Sequence, residues 1–454
     1  MTCNTDSIES LFDIIERIIK SMSDDCSMEE VREEMDDILL LQWMASVAAH
    51  PPRGPRWHHN RLDWDDHVNQ LIHEGRFVNE YRMSPSAHRR LVRLLDPYLQ
   101  RVEWNSRGSE PILVEHIIAL GLRVLAGGRV ADIRHIIGAS RAAAYQAFDD
   151  FVDAVNSHPE LDINFPTSID EWREINNGFK AKSSEEIMEG CVGAIDGYFQ
   201  RIQTPTKKEV GNVIAYYSGH YESHGVNCQA CVRSDLRFMY FGVVAPGSTN
   251  DNISYPLASG LKSVVEALPT GMYCVADAAY TLQENLLIPF TGTERLDEAH
   301  DSFNFYLSQL RIRVEMAFGR LTNKFRILKG CVLGSLDRVT SIIMACARLH
   351  NYIIQMDGPN DTMQEVVEGG DDPEFSIVPH PDAPLGMSYL PVIPNEDWEE
   401  FEGISYTRLG IVEYLRSNCI MRPLYNLARK QREVMDDDGS ENNLEWDDEY
   451  ISPS

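Results

Sequence analysis

Three acidic residues in separate motifs have the types and settings for metal-dependent phosphate chemistry. Asp196 ends the apolar run of GAIDG, Asp277 ends that of CVADAAY, and Glu315 lies in a stretch with the pattern of a helix. Carboxylate oxygens are the ligands that hard cations such as Mg²⁺ take. Two such ions about 4 Å apart can hold the attacking and leaving oxygens of an in-line displacement at phosphorus. These acids are therefore the predicted catalytic residues and the predicted ligands of two Mg²⁺ or Mn²⁺ ions.

The elements predicted around these acids would bring them together. Each aspartate is expected to end a strand, where its side chain can reach beyond the sheet, and Gly197 permits a tight backbone path after Asp196. Glu315 is expected on a helix beside the sheet, one turn after Arg311 and on the same face, so Arg311 is its expected charge-balancing partner. A single acid in such a setting is more often a capping or ion-pairing residue, and only the three together favour a catalytic site.

The order of apolar patterns predicts a helical region followed by an α/β region. Residues 70–156 have helical periodicity. The runs CVGAID, YFQRIQ, VNCQACV and FMYFGVVA then have the β-branched and aromatic content of strands. A helix at residues 251–268, the strand MYCVAD, and long helices at residues 303–323 and 338–354 are predicted to follow.

The segment VADIRHIIGASRAAAYQAFDDFVDAV predicts a helix, a turn and a second helix capped by Ser140, which is a helix-turn-helix pattern. If this unit docks on DNA, Arg141, Tyr145 and Gln146 lie near the start of the second helix, where base contacts occur. Three aspartates farther along the same helix would repel phosphates. A packed helical unit without DNA contact is therefore the alternative.

The acidic charge of the chain is concentrated at its two ends. The net charge of the 454 residues is −29, of which residues 1–50 contribute −9 and residues 357–454 contribute −17. Residues 51–356 contribute only −3. Phosphate binding requires a local basic surface rather than a basic chain. The composition therefore allows DNA binding but does not favour tight binding by bulk charge.

Basic side chains are concentrated around the third acid. Residues 301–356 hold eight basic against three acidic side chains. Arg311, Arg313 and Lys324 are predicted DNA contacts where they face outward, because guanidinium and ammonium groups neutralise phosphates. Plain solubility of the helix is the alternative.

The sequence gives little support for a membrane segment, disulfide bonds or a zinc site. It contains no run of about 18 apolar residues, so no membrane-spanning helix is expected. The nine scattered cysteines are expected to be reduced thiols. His220, His224, Cys228 and Cys231 have the spacing H-x₃-H-x₃-C-x₂-C, and all are zinc-ligand types. On a predicted strand, however, residues three apart point to opposite faces, which disfavours structural zinc.

Five motifs in order resemble those of PIF/Harbinger-type DNA transposases, from about residue 75 to about residue 355. They are GAIDGYFQRIQTP, GVNCQACVRSDLRFMYFGVVAPGSTNDNISY, YCVADAAYTLQENLLIPF, FNFYLSQLRIRVEMAFGRLTNKFRIL and ARLHN. The family also has an acid at the place of Asp251, which could position metal or cap the next helix, and capping is the favoured interpretation. One departure is YYSGHYESHG, which has no Arg or Lys where many relatives are basic. If this segment meets DNA, the contact is expected to be weaker or to use His220.

The resemblance implies an enzyme that cuts and rejoins double-stranded DNA at terminal inverted repeats and at a target site. It also implies action in the nucleus, or location in the cytoplasm without its partner, a separately encoded Myb-like DNA-binding protein. The oligomeric state is left open, and a homo-oligomer is compatible with the family. The alternatives are a domesticated, noncatalytic DNA-binding or scaffold protein and a nuclease without joining activity.

The predicted fold class is α/β. With the resemblance, it is an RNase H-like nuclease domain, a mixed sheet flanked by helices, preceded by an all-α helix-turn-helix domain and followed by an acidic, partly disordered tail. The predicted boundaries are an acidic helical arm at residues 1–50, a linker at 51–69, the helix-turn-helix domain at 70–160, the nuclease domain at 185–356, and the tail at 357–454 with one helix near 405–418.

Overall fold

A computed structural model describes residues 60–99, 112–358 and 408–423, and the structural statements below refer to these residues. The predicted acidic arm at residues 1–50 lies outside them, as do residues 51–59 of the predicted linker and most of the predicted tail. None of the helices in this part of the chain has the length and apolar content that would let it span a bilayer.

The first part of the described chain is entirely helical. Its helices are α1 (Trp64–His73), α2 (Phe77–Tyr81), α3 (Pro85–Leu99), α4 (Val114–Leu125), α5 (Val130–Ile136), α6 (Arg141–Ser157) and α7 (Ile169–Lys180). Helix α1 begins inside the stretch predicted as a linker, because the Asp63 side chain accepts a hydrogen bond from the amide of Asp66 and caps it. The ring of Trp64 then packs on those of Tyr81 and His88.

Helices α5 and α6 have the predicted helix-turn-helix sequence of elements. The Ser140 side chain accepts a hydrogen bond from the amide of Ala143, at 3.3 Å, and so caps α6 as expected. Helix α6 packs against α3, α4 and α5 on the helical side and against a later helix of the sheet region. A role of this unit in DNA binding remains a prediction.

One mixed sheet forms the centre of the molecule. Its strands are β1 (Cys191–Arg201), β2 (Tyr217–Ser218), β3 (Ser223–Val232), β4 (Phe238–Pro246), β5 (Tyr273–Val275) and β6 (Leu286–Leu287). Strand β3 pairs antiparallel with β1, β2 and β4. Strand β1 pairs parallel with β5, and β5 pairs parallel with β6. The antiparallel and parallel halves of the sheet therefore meet at β1.

Two predicted strands, CVGAID and YFQRIQ, are one continuous strand of 11 residues. Strand β3 pairs with β1 from Ala194 to Arg201 and holds it extended through the stretch where a turn was expected. The prediction that Asp196 ends its strand is therefore wrong, since Asp196 lies in the middle of β1. Asp277 does follow the end of β5, as predicted.

Short helices connect the strands, and long helices cover the sheet. They are α8 (Lys207–Val210), α9 (Asp251–Leu257), α10 (Ser259–Glu266), α11 (Glu298–Lys324), α12 (Leu336–Asp357) and α13 (Arg408–Ser417). The single helix predicted at residues 251–268 is divided into α9 and α10 by Ala258, whose ψ of 62° is not helical. Helix α13 lies within the helix predicted near 405–418.

Helix α11 crosses the sheet and packs against β1, β3 and β5. Helix α12 packs against α6 and β4, and the Asn351 side chain holds the edge of β4. Its amide oxygen accepts from the Phe238 amide at 2.8 Å, and its amide nitrogen donates to the Phe238 carbonyl at 2.7 Å. The buried apolar side chains form one continuous cluster from Leu71 to Leu415.

The predicted mixed sheet flanked by helices is confirmed, and this architecture is consistent with a nuclease domain. The helical part and the sheet share one apolar core, because α6 on one side packs against α12 on the other. The domain boundaries and the RNase H-like assignment remain predictions.

Gly121 sets how closely α4 approaches α6, which gives a test of the packing. A Cβ at Gly121 would overlap the ring of the fully buried Phe151. Gly121→Ala should therefore lower the free energy of unfolding by about 1–3 kcal/mol through overpacking, although alanine is the better helix former by about 1 kcal/mol. Urea denaturation measures the change.

The matched control is Gly319→Ala in α11, where a Cβ would have no heavy atom within 4 Å. Here the helix propensity acts alone, and the variant should be as stable as the wild type or more stable by up to about 1 kcal/mol. Equal effects of the two substitutions would contradict the packing described for α4 and α6.

Candidate active site

The parallel pairing of β1 and β5 places two of the predicted acids at equivalent positions. The register pairs Ala194 with Val275, and Asp196 and Asp277 each follow two residues later. Both acids therefore come just beyond the last paired residues of the two neighbouring strands, which brings their backbone positions close together. The Asp277 carboxylate is oriented by a hydrogen bond from the Ala279 amide, at 2.9 Å.

The acids lie close enough together for the charge of one to change the pKa of another, so they form one cluster. Burial first, and then the negative charge of Asp277, raise the pKa of Asp196 to about 7, although the charge of Arg311 opposes both effects. Burial also raises the pKa of Asp277, the Ala279 amide and Arg311 lower it, and the charges of Asp251 and Glu315 raise it. A cluster of this kind requires a positive charge to keep its carboxylates ionised at neutral pH.

Arg311 supplies the positive charge in this structure. Its guanidinium pairs with the Glu315 carboxylate one helical turn away, and its Nη1 atom lies 3.9 Å from Asp196 Oδ2. The predicted pairing of Arg311 with Glu315 is therefore present, and the guanidinium lies between the acid of the helix and the acid of the sheet. The Arg311 side chain is only 28% exposed, so solvent screens this contact incompletely.

Asp251 is a fourth member of the cluster, and its expected role as a helix cap is wrong. Its Oδ1 atom accepts hydrogen bonds from Asn227 Nδ2 at 2.9 Å and from Gln229 Nε2 at 2.8 Å. The carboxylate packs on Gly197, where a Cβ would overlap it. The glycine after Asp196 therefore makes room for another acid, in addition to giving backbone freedom.

A buried hydrogen-bond network fixes Asp251. Gln229 is fully buried, its Oε1 atom accepts from the Tyr280 hydroxyl at 2.7 Å, and its Nε2 atom also donates to Asn227 Oδ1 at 2.9 Å. Sequence reasoning missed these three residues. The available signal was two polar residues at alternate positions of the apolar run VNCQACV, which share a face of β3. A buried polar pair of this kind needs partners.

The donor set of the cluster fits a hard divalent cation, because it consists of carboxylate oxygens. As the side chains stand, residues 60–99, 112–358 and 408–423 contain no group of three His, Cys, Asp or Glu side chains arranged to hold one ion. The guanidinium of Arg311 lies between Asp196 and Glu315, where a shared cation would have to lie. Metal binding by these acids therefore requires Arg311 to withdraw from Glu315.

The four His and Cys residues of the alternative zinc pattern do not converge. Cys231 and Cys274 both lie beside Gly193, and Cys228 is buried elsewhere on β3. The His224 Nδ1 atom lies 3.2 Å from the Thr204 hydroxyl. The ring of His220 packs edge-on against Tyr221.

The predicted DNA contacts fall on two elements. Arg141, Tyr145 and Gln146 are exposed at the start of α6. The Arg141 guanidinium lies 5.9 Å from the centre of the Tyr145 ring, and Gln146 donates a hydrogen bond to Asp150. These residues are thus separate from the acids, which lie on β1, β5 and α11. Their role remains a prediction.

Arg313 and Lys324 lie on α11 with Arg311. Arg313 is half-buried, burial lowers its pKa, and its Nε atom is enclosed by the protein. Its predicted contact with DNA remains a prediction. Lys324 is partly exposed at the last position of the helix.

Comparison with known protein families shows which family the part of the chain around this cluster resembles. Residues 195–351 match the family described as DDE superfamily endonuclease. The matched range contains Asp196, Asp277, Glu315 and Arg311. Searches of curated proteins and of solved structures each found no match. The chain therefore contains a DDE superfamily endonuclease domain, and endonucleases of this kind generally use divalent metal ions.

The repulsion within the cluster predicts a pH-dependent stability for the metal-free protein. Because folding raises the pKa of Asp196 from 3.8 to about 7, the native state keeps a proton that the unfolded chain releases. This contribution to stability is present below pH of about 4 and is lost as the pH rises to about 7. The shift corresponds to a change of up to about 4 kcal/mol.

Asp196→Asn removes the titrating group. In EDTA, the wild type should lose more stability than this variant between pH 5 and pH 8, as measured by urea denaturation at each pH. Asp170→Asn is the control, since Asp170 is highly exposed on α7 and should change little. The same pH dependence in wild type and Asp196→Asn would contradict the described burial and repulsion.

Proposed function

We propose that this protein is a metal-dependent DNA endonuclease and transposase of the PIF/Harbinger type. In this proposal Asp196, Asp277 and Glu315 hold two Mg²⁺ or Mn²⁺ ions in an RNase H-like domain. The observation that carries the proposal is the carboxylate cluster itself. Asp277 raises the pKa of Asp196, and an arginine pairs with Glu315 beside Asp196. Such a site requires cations, and it lies within a DDE superfamily endonuclease domain.

Divalent ions in this cluster would activate water or a DNA 3′-hydroxyl and would neutralise the charge that develops at the scissile phosphate. Asp196 is held by the register of β1 and the Asp277 carboxylate by the Ala279 amide, so both need little movement. Glu315 becomes available as a ligand when Arg311 releases it. The released guanidinium can then bind a phosphate oxygen pair, for which its planar shape is suited. No nucleophilic side chain of the protein is required.

The substrates in this proposal are double-stranded DNA with terminal inverted repeats and a target DNA. The acidic ends of the chain and the nearly neutral middle support a need for a second DNA-binding protein, proposed here to be Myb-like. Such a partner would supply affinity that bulk charge does not provide. Action in the nucleus and assembly as a homo-oligomer belong to the same proposal.

One observation favours a second candidate function. The pairing of Arg311 with Glu315 already neutralises part of the cluster without a metal ion. In a domesticated, noncatalytic DNA-binding or scaffold protein, this pairing would be permanent. Metal binding separates the two candidates, because only the enzyme must take up divalent ions at the acids.

Substitution of each acid tests the catalytic assignment. Asp196→Asn, Asp277→Asn and Glu315→Gln should each reduce nicking of supercoiled plasmid in Mg²⁺ or Mn²⁺ on the order of 100-fold or more, because each removes a ligand of the ion pair. Mn²⁺ binding, followed by electron paramagnetic resonance, should weaken in parallel.

Glu266→Gln is the matched control, since Glu266 is an exposed helical acid paired only with Lys262 among the described ion pairs. Nicking at the wild-type rate by any of the three variants would remove that residue from the site. Joining is tested separately with a labelled oligonucleotide bearing a 3′-hydroxyl. If the protein nicks the plasmid but does not join the labelled oligonucleotide to it, the protein is a nuclease without joining activity.

Arg311→Ala tests whether arginine and metal compete for the same acids. Without metal at pH 8, the variant should lose about 1–3 kcal/mol of stability, because buried carboxylates lose their countercharge. Mn²⁺ should restore more stability to the variant than to the wild type, since binding to the native state stabilises it. Thermal melts with and without Mn²⁺ measure both effects.

The control for this substitution is Arg76→Ala. Arg76 also contacts two acids, Glu74 and Glu80, but on the surface, where ion pairs contribute about 0–1 kcal/mol. Its melting temperature should not respond to Mn²⁺ differently from that of the wild type. If neither wild type nor Arg311→Ala responds to Mn²⁺, the noncatalytic function is favoured.

A further inference from the structure

An aromatic stack lies on the same face of β1 as Asp251. The ring of Tyr221 lies on that of Phe199, with centroids 4.3 Å apart and planes 9° apart. Phe199 in turn lies flat on the sheet, because a Cβ at Gly225 or at Gly247 would overlap its ring. Two glycines thus form the base of the stack, and Tyr221 is its outer layer.

The stack is close to the acids. Gly197 and Phe199 are two residues apart on β1 and share a face, and the Asp251 carboxylate packs on Gly197. Burial raises the pKa of the Tyr221 hydroxyl, and the negative charges of Asp251 and Asp196 raise this pKa further. The tyrosine ring therefore lies near Asp251, the member of the carboxylate cluster that packs on this face of β1.

The turn that carries Tyr221 is well defined. It joins β2 to β3, whose register pairs Tyr217 with His224. Glu222, the next residue, has a φ of 49°, in the left-handed region that non-glycine residues rarely adopt. The His220 ring packs edge-on against Tyr221, with centroids 4.7 Å apart. The backbone therefore holds the ring in place although Tyr221 is 46% exposed.

The side chains of residues 211–224 are better suited to contact a nucleobase than a phosphate. Residues 211–224 contain no Lys or Arg, so they offer no cationic side chain to the DNA backbone. They do present exposed rings, Tyr217 at 44% and Tyr221 at 46%. Flat aromatic rings bind nucleobases by stacking, and they do so only when the base is unpaired or unstacked from its neighbours.

We propose that Tyr221, supported by Phe199, stacks on an unpaired nucleobase next to the phosphate that is cut. This inference rests on the proposed nuclease function and adds to it a substrate preference. DNA whose strands are separated at the cutting site would bind better than fully paired DNA. Tyr221 is a specificity residue in this proposal, and the acids carry out the reaction.

The test compares two DNA probes in EDTA, so that binding is measured without cutting. One probe is a fully paired duplex, and the other is the same duplex with a forked, unpaired end that carries 2-aminopurine. Wild type should bind the forked probe more tightly and quench its fluorescence. Tyr221→Ala should lose about 10-fold in affinity for the forked probe and lose the quenching. Tyr221→Trp should retain both.

The matched control is Tyr98→Ala. Tyr98 is also 46% exposed and also packs on an aromatic ring, that of His158, but it lies on α3. Its removal should leave the preference for forked DNA unchanged. Thermal melts of all variants show whether the fold is intact.

Three results would overturn the proposal. The first is wild-type binding and quenching by Tyr221→Ala, and the second is an equal loss in Tyr98→Ala. The third is a changed oligomeric mass of Tyr221→Ala with unchanged DNA binding, which would assign the ring to a protein contact. These readouts do not require cutting. Failure of the nuclease proposal, seen as absent nicking and absent Mn²⁺ binding, is therefore distinguishable from failure of base stacking.

Discussion

Repulsion between carboxylates held at one place by a parallel strand pair is the constraint on which the site depends. Asp196 and Asp277 each come two residues after the last residue pair of β1 with β5, so the pairing of these strands keeps them close together. In a partly buried setting, two like charges so placed interact strongly. The positive charge of Arg311 offsets this repulsion here, and a bound cation would offset it equally well. The same geometry thus explains the ion pairing and is the basis of the proposed metal binding.

The surrounding structure serves to keep this charge cluster in place. Strand β3 supplies Asn227 and Gln229, whose amides fix Asp251 on one side. Helix α11 supplies Arg311 and Glu315 on the other. Both N–H groups and the oxygen of the Gln229 amide have side-chain partners. A satisfied buried network is rigid, so adjustment for a ligand falls to the side chains of α11, which are more exposed.

Local patterns in the sequence predicted the parts of the site that depend on one element. The strand content, the helix around Glu315 and its pairing with Arg311 follow from periodicity and spacing. The parts that depend on strand pairing were missed. Asp196 was expected at a strand end because β1 is kept straight only by β3, which lies about 30 residues later. The role of Asp251 was missed for the same reason, since its partners reach it only through the register that puts Gly197 opposite Gln229.

The continuous core has a consequence for how this molecule can behave. Asn156 of α6 donates a hydrogen bond to the carbonyl of Ser341 in α12, and Arg338 of α12 pairs with Asp149 and Asp153 of α6. Together with the shared apolar packing, these contacts join the helical part to the sheet region. The sheet region is therefore not a detachable module, since without α6 the helix α12 would be left with an uncovered apolar side in water.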